Sequence, residues 1–75
     1  MVDINEIQCA LQLHDKAVLS KEQLGKLLFI DLETGKMSYE WDSIEKFIKK
    51  QVLMQLYDKG LISEESLLKQ TFDLV

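Results

Sequence analysis

The sequence predicts an all-α domain of four helices, folded as two similar helical hairpins, and three observations predict it. Apolar residues recur at three- and four-residue intervals along most of the chain, the signature of amphipathic helices. There is no proline, and the three glycines, Gly25, Gly35 and Gly60, fall at or near the ends of the periodic stretches. Residues 8–32 repeat at 51–75 at a constant offset of 43, with ten identities in 25 positions and no gap. The identities include Gln12-Leu13 with Gln55-Leu56, Asp15-Lys16 with Asp58-Lys59, and Ser20 with Ser63. One helix–elbow–helix unit is written twice, and the expected helices span about 3–18, 21–33, 39–59 and 64–73.

Helix 1 begins at Asp3-Ile4-Asn5-Glu6, which has capping-box spacing. Ile4, Ile7, Leu11 and Val18, with Ala10, Leu13 and Ala17 beside them, form its inner face. Ser20-Lys21-Glu22-Gln23 is a second capping box, and Leu19 is placed to staple Leu24. Helix 2 is expected to bury Leu24, Leu27, Leu28 and Ile30 or Leu32, to cross another helix closely at Gly25, and to end at Gly35. Helix 3, starting at Ser38 or Asp42, is the longest, with Trp41, Ile44, Phe47, Ile48, Val52, Leu53, Leu56 and Tyr57 apolar. Gly60 stops it, Leu61-Ile62 fill the corner, Ser63 caps helix 4, and Glu64 and Glu65 sit at the positive end of the helix macrodipole. Leu67, Leu68, Thr71 and Phe72 should form the inner face of helix 4, which frays into Leu74-Val75.

With 75 residues and 47% hydrophobic content, the chain suits a single domain, residues 1–75, with one core. A domain of this length is stable by about 4–11 kcal/mol at roughly 0.05–0.15 kcal/mol per residue, so self-association is an expected supplement. The lone Cys9 lies in an apolar-periodic stretch and reads as a small core residue in a reducing compartment. No secretory leader opens the chain and no apolar run reaches the ~18 residues a membrane span needs, so the expected location is cytoplasmic. Thirteen acidic residues oppose nine basic ones for a net charge of −4, and every basic residue is Lys. That balance argues against nucleic acid, where cations supply the affinity and the Arg fork reads guanine. Lys46, Lys49 and Lys50 are the only basic cluster and read as a solvated helix face. A Lys-only, Ile- and Leu-rich composition fits an AT-rich coding sequence of a low-GC bacterium or its phages.

The second copy, Leu53-x-x-Leu56-Tyr57-Asp58-Lys59-Gly60-Leu61-Ile62-Ser63-Glu64-Glu65-x-Leu67-Leu68-Lys69, resembles the SHOCT family of short helical hairpins over about 20 residues. Ser66 and Leu67 stand where that family has an aromatic, and here the hairpin is doubled. The resemblance implies a binding or oligomerisation module without an active site. Two further likenesses bear on function. Phe29-Ile30-Asp31-Leu32-Glu33-Thr34-Gly35-Lys36-Met37-Ser38-Tyr39-Glu40-Trp41 is similar to an EF-hand loop, but it falls about a residue short of the twelve that converge oxygen ligands on calcium and lacks an Asp or Asn before Gly35. Leu19-Ser20-Lys21-Glu22-Gln23-Leu24-Gly25-Lys26-Leu27-Leu28 is similar to the first helix of a helix-turn-helix reader, with Phe29 where that motif turns on Gly.

No reaction is spelled out. His14 is the only histidine and aligns with Tyr57, which suggests a half-buried elbow residue rather than a general base. One His and one Cys are too few ligands for zinc or a di-iron site, and Ser20 and Ser63 are explained by capping, so no catalytic, cofactor-binding or metal-binding residue is assigned. What remains is recognition. Tyr39, Trp41 and Phe47, outside the repeat and flanked by Glu40, Asp42 and Glu45, either plug the open end of the bundle or form a partner-binding patch suited to a basic rim. The expectation is a small cytoplasmic adaptor, inhibitor or assembly factor, encoded by a phage or mobile element, that binds another protein or a second copy of itself. The alternative from another class is a DNA-binding regulator acting through helix 2 or 3, and the third is a degenerate EF-hand-like calcium-responsive module.

Overall fold

The structure is a computed structural model that describes residues 2–73; Leu74 and Val75, the last residues of the repeat, lie outside them. It is mostly helical, with four α-helices and one small antiparallel strand pair. The elements are α1 (Ile4–Asp15), α2 (Lys21–Leu28), β1 (Ile30–Asp31), β2 (Lys36–Met37), a 3-10 turn (Tyr39–Trp41), α3 (Lys46–Asp58) and α4 (Glu64–Asp73).

Three of the four helices start on a side chain that accepts from a first-turn amide, and α3 starts at the extended Glu45 without one. Asp3 Oδ1 accepts from the Asn5 N–H at 2.8 Å, and Ser20 and Gln23 exchange both bonds of a capping box. Ser63 Oγ accepts from the Ser66 N–H at 3.1 Å at the head of α4. The elbow after α1 is a Schellman turn, in which Ala17 N–H donates to His14 O and Val18 N–H to Leu13 O, with Ala17 left-handed at φ 61°. After α3, Gly60 N–H donates to Tyr57 O and Leu61 N–H to Leu56 O, with Gly60 at φ 74°. Every donor and acceptor of the second elbow stands 43 residues after its counterpart in the first.

The core gathers Ile7, Ala10 and Leu11 of α1, Leu24 and Leu28 of α2, Ile30, Leu32, Trp41, and Val52, Leu53 and Leu56 of α3, closed by Leu61 and Ile62 at the second elbow. α1 packs on α2 and α3 on α4. The stapling residues Leu19 and Leu67 are partly buried against this core.

Several sequence expectations are corrected. Helix 1 stops at Asp15, not 18, because the Schellman turn takes over; Val18 and Leu13 are exposed rather than inward. Helix 2 stops at Leu28, not 33, because Phe29 turns left-handed at φ 58° and the chain becomes a β-hairpin. Ile30 pairs with Met37 and Asp31 with Lys36, so Gly35 closes a β-turn rather than a helix. The approach at Gly25 is made by β1, not by another helix: a Cβ there would lie 3.1 Å from Ile30 O and 3.4 Å from Leu32 Cγ. Helix 3 is not continuous over 39–59; a 3-10 turn ends at Trp41, and α3 proper starts at Lys46 after the extended N-cap Glu45. Phe47 and Tyr57 of α3, and Leu68 and Phe72 of α4, face outward. Leu27 and Cys9 are also exposed, so Cys9 is not a core residue.

Candidate functional site

A groove of about 870 Å3 lies between α2 and the β-hairpin. Its apolar lining comes from Phe29, Ile30, Leu32 and Met37, with Gly25 on the helix side, where β1 approaches closely. The lining also carries three lysines, Lys21, Lys26 and Lys36, and three acids, Glu22, Asp31 and Glu33, all exposed, so the rim presents both signs of charge. Only Lys26 and Glu22 approach each other there, at 3.8 Å, in an exposed i,i+4 pair of the kind that contributes about 0.3–0.5 kcal/mol.

The groove is built by local chemistry that spaces its two walls. Asp31 Oδ1 accepts from Glu33 N–H at 3.0 Å and Asp31 O accepts from Gly35 N–H at 2.6 Å, which folds residues 32–35 into a tight turn. Thr34 Oγ1 accepts from Lys36 N–H at 3.3 Å. Ser38 N–H donates to Phe29 O and carries the ladder one step beyond the strands. Behind them Trp41, only 1% exposed, donates from Nε1 to Leu28 O at 2.8 Å. Leu28 ends α2, and a helix's last carbonyls lack partners within the helix; the indole supplies one and pins the return of the hairpin to the helix end. On the far side of the turn, Ser66 Oγ and Gln70 Nε2 donate to Glu33 O and Thr34 O, both at 3.4 Å, so α4 braces the hairpin tip.

None of the six residues singled out from sequence lines the groove. Tyr39 and Phe47 are exposed, at 78% and 67%. Trp41 is core and is corrected from a partner contact to a structural residue. Glu40 is half-buried, while Asp42 and Glu45 are exposed. The residues that sequence reasoning missed are Phe29, Leu32 and Met37, which were assigned to a helix end and a loop. Burial alternates along Phe29, Ile30, Asp31 and Leu32, but Phe29 is apolar, so the sequence itself carries only the short Ile30-Asp31-Leu32 alternation as a strand signal.

The other two functional expectations rested on the same segment. A helix-turn-helix needs its second helix directly after α2, where residues 30–37 form the hairpin. A calcium loop needs convergent oxygens, yet Asp31 turns its carboxylate to its own backbone, and no group of three or more His, Cys, Asp or Glu side chains gathers among the described residues. His14 is half-buried, with Nδ1 lacking a hydrogen-bond partner. No described helix is long and apolar enough to cross a membrane.

A smaller crevice of about 320 Å3 separates α1 from α3. Gln12 and Asp15 line one side and their repeat counterparts Gln55 and Asp58 the other, and Lys59 crosses it to Asp15 at 2.5 Å. No family model, curated protein or solved structure matches the chain.

Proposed function

We propose that this chain is a protein-binding module without catalytic activity, which docks an apolar segment of another polypeptide in the groove between α2 and the β-hairpin. The observation that carries the proposal is the groove itself: about 870 Å3 of largely apolar concavity on a chain of 75 residues, walled by a short hairpin that Trp41 and α4 hold in place. A rim of both charges selects a segment whose apolar anchors are flanked by charges of both signs, rather than a uniformly basic or acidic one. Tyr39 and Phe47 are exposed aromatics that could widen the contact beyond the groove. In this reading the protein is a small cytoplasmic adaptor, inhibitor or assembly factor of phage or mobile-element origin.

The same reading takes the chain as two copies of one hairpin about an approximate two-fold relation. The matching elbow bonds, and the crevice flanked by Gln12, Asp15, Gln55 and Asp58, support it.

Phe29→Gly tests the groove. It removes an aromatic ring from the lining and relieves a left-handed non-glycine backbone, so folding stability should hold or rise by about 1 kcal/mol. Peptides selected against the wild-type chain from a random display library should lose at least about tenfold in affinity for Phe29→Gly, and their amide shift changes should centre on residues 29–37. Shift changes confined to α1 or α3 would sink the reading. So would salt-dependent duplex DNA binding that disappears when Lys46, Lys49 and Lys50 are replaced.

A further inference from the structure

Two outward stripes lie on α3 and α4, and none of their residues lines the groove. On α3, Lys46, Phe47, Lys50, Met54 and Tyr57 fall within a sector of about 100° at 100° per residue, over about 16 Å of helix. Phe47, Met54 and Tyr57 are all exposed, opposite the buried Val52, Leu53 and Leu56. On α4, Glu64, Glu65, Leu68 and Phe72 occupy a sector of similar width over about 12 Å. Leu68 is 50% and Phe72 74% exposed, and none of residues 64–72 is fully buried.

The stripes complement each other. The charge is basic on α3, where Phe47 lies between the two lysines and Met54 and Tyr57 follow them, and acidic on α4, where Leu68 and Phe72 follow the two acids. Laid in parallel with Lys50 beside Glu64 and Glu65, Met54 falls beside Leu68 and Tyr57 beside Phe72, while Lys46 and Phe47 lie about one turn before the head of α4. Within one chain α3 and α4 already pack on each other, and these exposed stripes stay uncovered. A surface and its complement on the same chain are what a reciprocal two-fold interface requires. An anionic membrane would suit the lysines of α3 but would repel Glu64 and Glu65 and a chain of net charge −4.

We propose that the α3 stripe of one copy packs in parallel on the α4 stripe of a second copy, and reciprocally, to form a two-fold dimer that leaves the groove open. Sedimentation equilibrium of the full chain between about 1 μM and 1 mM should show the mass rising from 8.7 kDa toward twice that value. Lys46→Glu/Lys50→Glu and, separately, Phe72→Ser should each raise the dimer dissociation constant at least about tenfold, with helical circular dichroism unchanged. Lys21→Glu/Lys26→Glu makes the same change in net charge on the groove rim and should leave the dimer constant within about threefold of the parent, since neither lysine belongs to either stripe. A chain that stays monomeric throughout overturns the proposal, as does a dimer that responds equally to the control. Binding to phosphatidylserine vesicles that is lost in Lys46→Glu/Lys50→Glu would replace it with a lipid surface. Because the control variant alters only the groove rim, loss of the dimer and loss of peptide docking remain separate results.

Discussion

At the scale of single residues, the two elbows make a matched experiment. Ala17 and Gly60 hold equivalent hydrogen bonds and nearly equal left-handed φ angles, 61° and 74°, yet only one is a glycine. An L-residue in this conformation costs about 1 kcal/mol. Ala17→Gly should therefore raise stability by about 0.5–1 kcal/mol, and Gly60→Ala should lower it by a similar amount. Nothing lies within 4 Å of the Cβ that Gly60→Ala would add, so the loss would be backbone strain alone. Urea titration of both variants checks the pair; equal signs would mean that the elbows are not equivalent. Trp41 gives the second residue-scale prediction. Its indole serves packing and also the last carbonyl of α2, so Trp41→Phe should cost about 1–3 kcal/mol by leaving Leu28 O without its donor. Thermal melts measure the loss, and the fluorescence of the parent Trp41 should be blue-shifted, as for a dry indole.

At the scale of elements, the hairpin separates what could be read from what could not. The Asp31, Thr34 and Gly35 turn chemistry was present in the sequence, but the apolar residues of 27–32 also continue the helical period of α2. Phe29 resolves that ambiguity by turning left-handed, and the strand pairing that follows lies 3.1 Å from where a Gly25 side chain would be. Gly25 thus keeps β1 close to α2, although glycine in a helix interior costs about 1 kcal/mol relative to Ala. Gly25→Ala should gain that propensity but press Cβ into the backbone of Ile30, where overpacking costs about 1–3 kcal/mol. The net expectation is a protein less stable than the parent, with shift changes across residues 30–37. A stabilised variant would show that the hairpin can lift away. Among the other elements, the caps at Asp3, Ser20 and Ser63 were legible because each bonds within three residues of itself. The span of α4, 64–73, was legible as well; the ends of the other three helices were not, since left-handed turns at Ala17 and Phe29 and the 3-10 turn ahead of α3 cut them short.

At the scale of the whole molecule, shape explains why so many apolar side chains face outward. The chain measures 34 × 26 × 16 Å, and a single helix with its side chains already fills about 10–12 Å. A slab this thin buries one face of each helix and leaves the other to solvent or to a partner, which is how Phe47, Met54 and Phe72 come to be exposed. The interior is correspondingly small and intolerant. Leu56 has no exposed surface and lies at the foot of the second elbow, where its carbonyl accepts from Leu61 N–H. Leu56→Ala should cost about 2–5 kcal/mol, a large share of what a domain of this size has; a loss below about 1 kcal/mol in urea would place the core elsewhere.

The helical character, the three side-chain caps and the positions of both elbows were decided by the order of residues, because each depends on neighbours a few positions away and on the period of apolar side chains. The candidate site was not. Whether residues 30–32 extend a helix or form a strand, whether Trp41 faces a partner or the core, and which of two apolar faces a helix buries all depend on groups distant in the chain: Leu28 O meets the indole of Trp41, and Glu33 and Thr34 meet Ser66 and Gln70. Local propensities leave those choices nearly balanced, and only the packed assembly supplies the contacts that tip them.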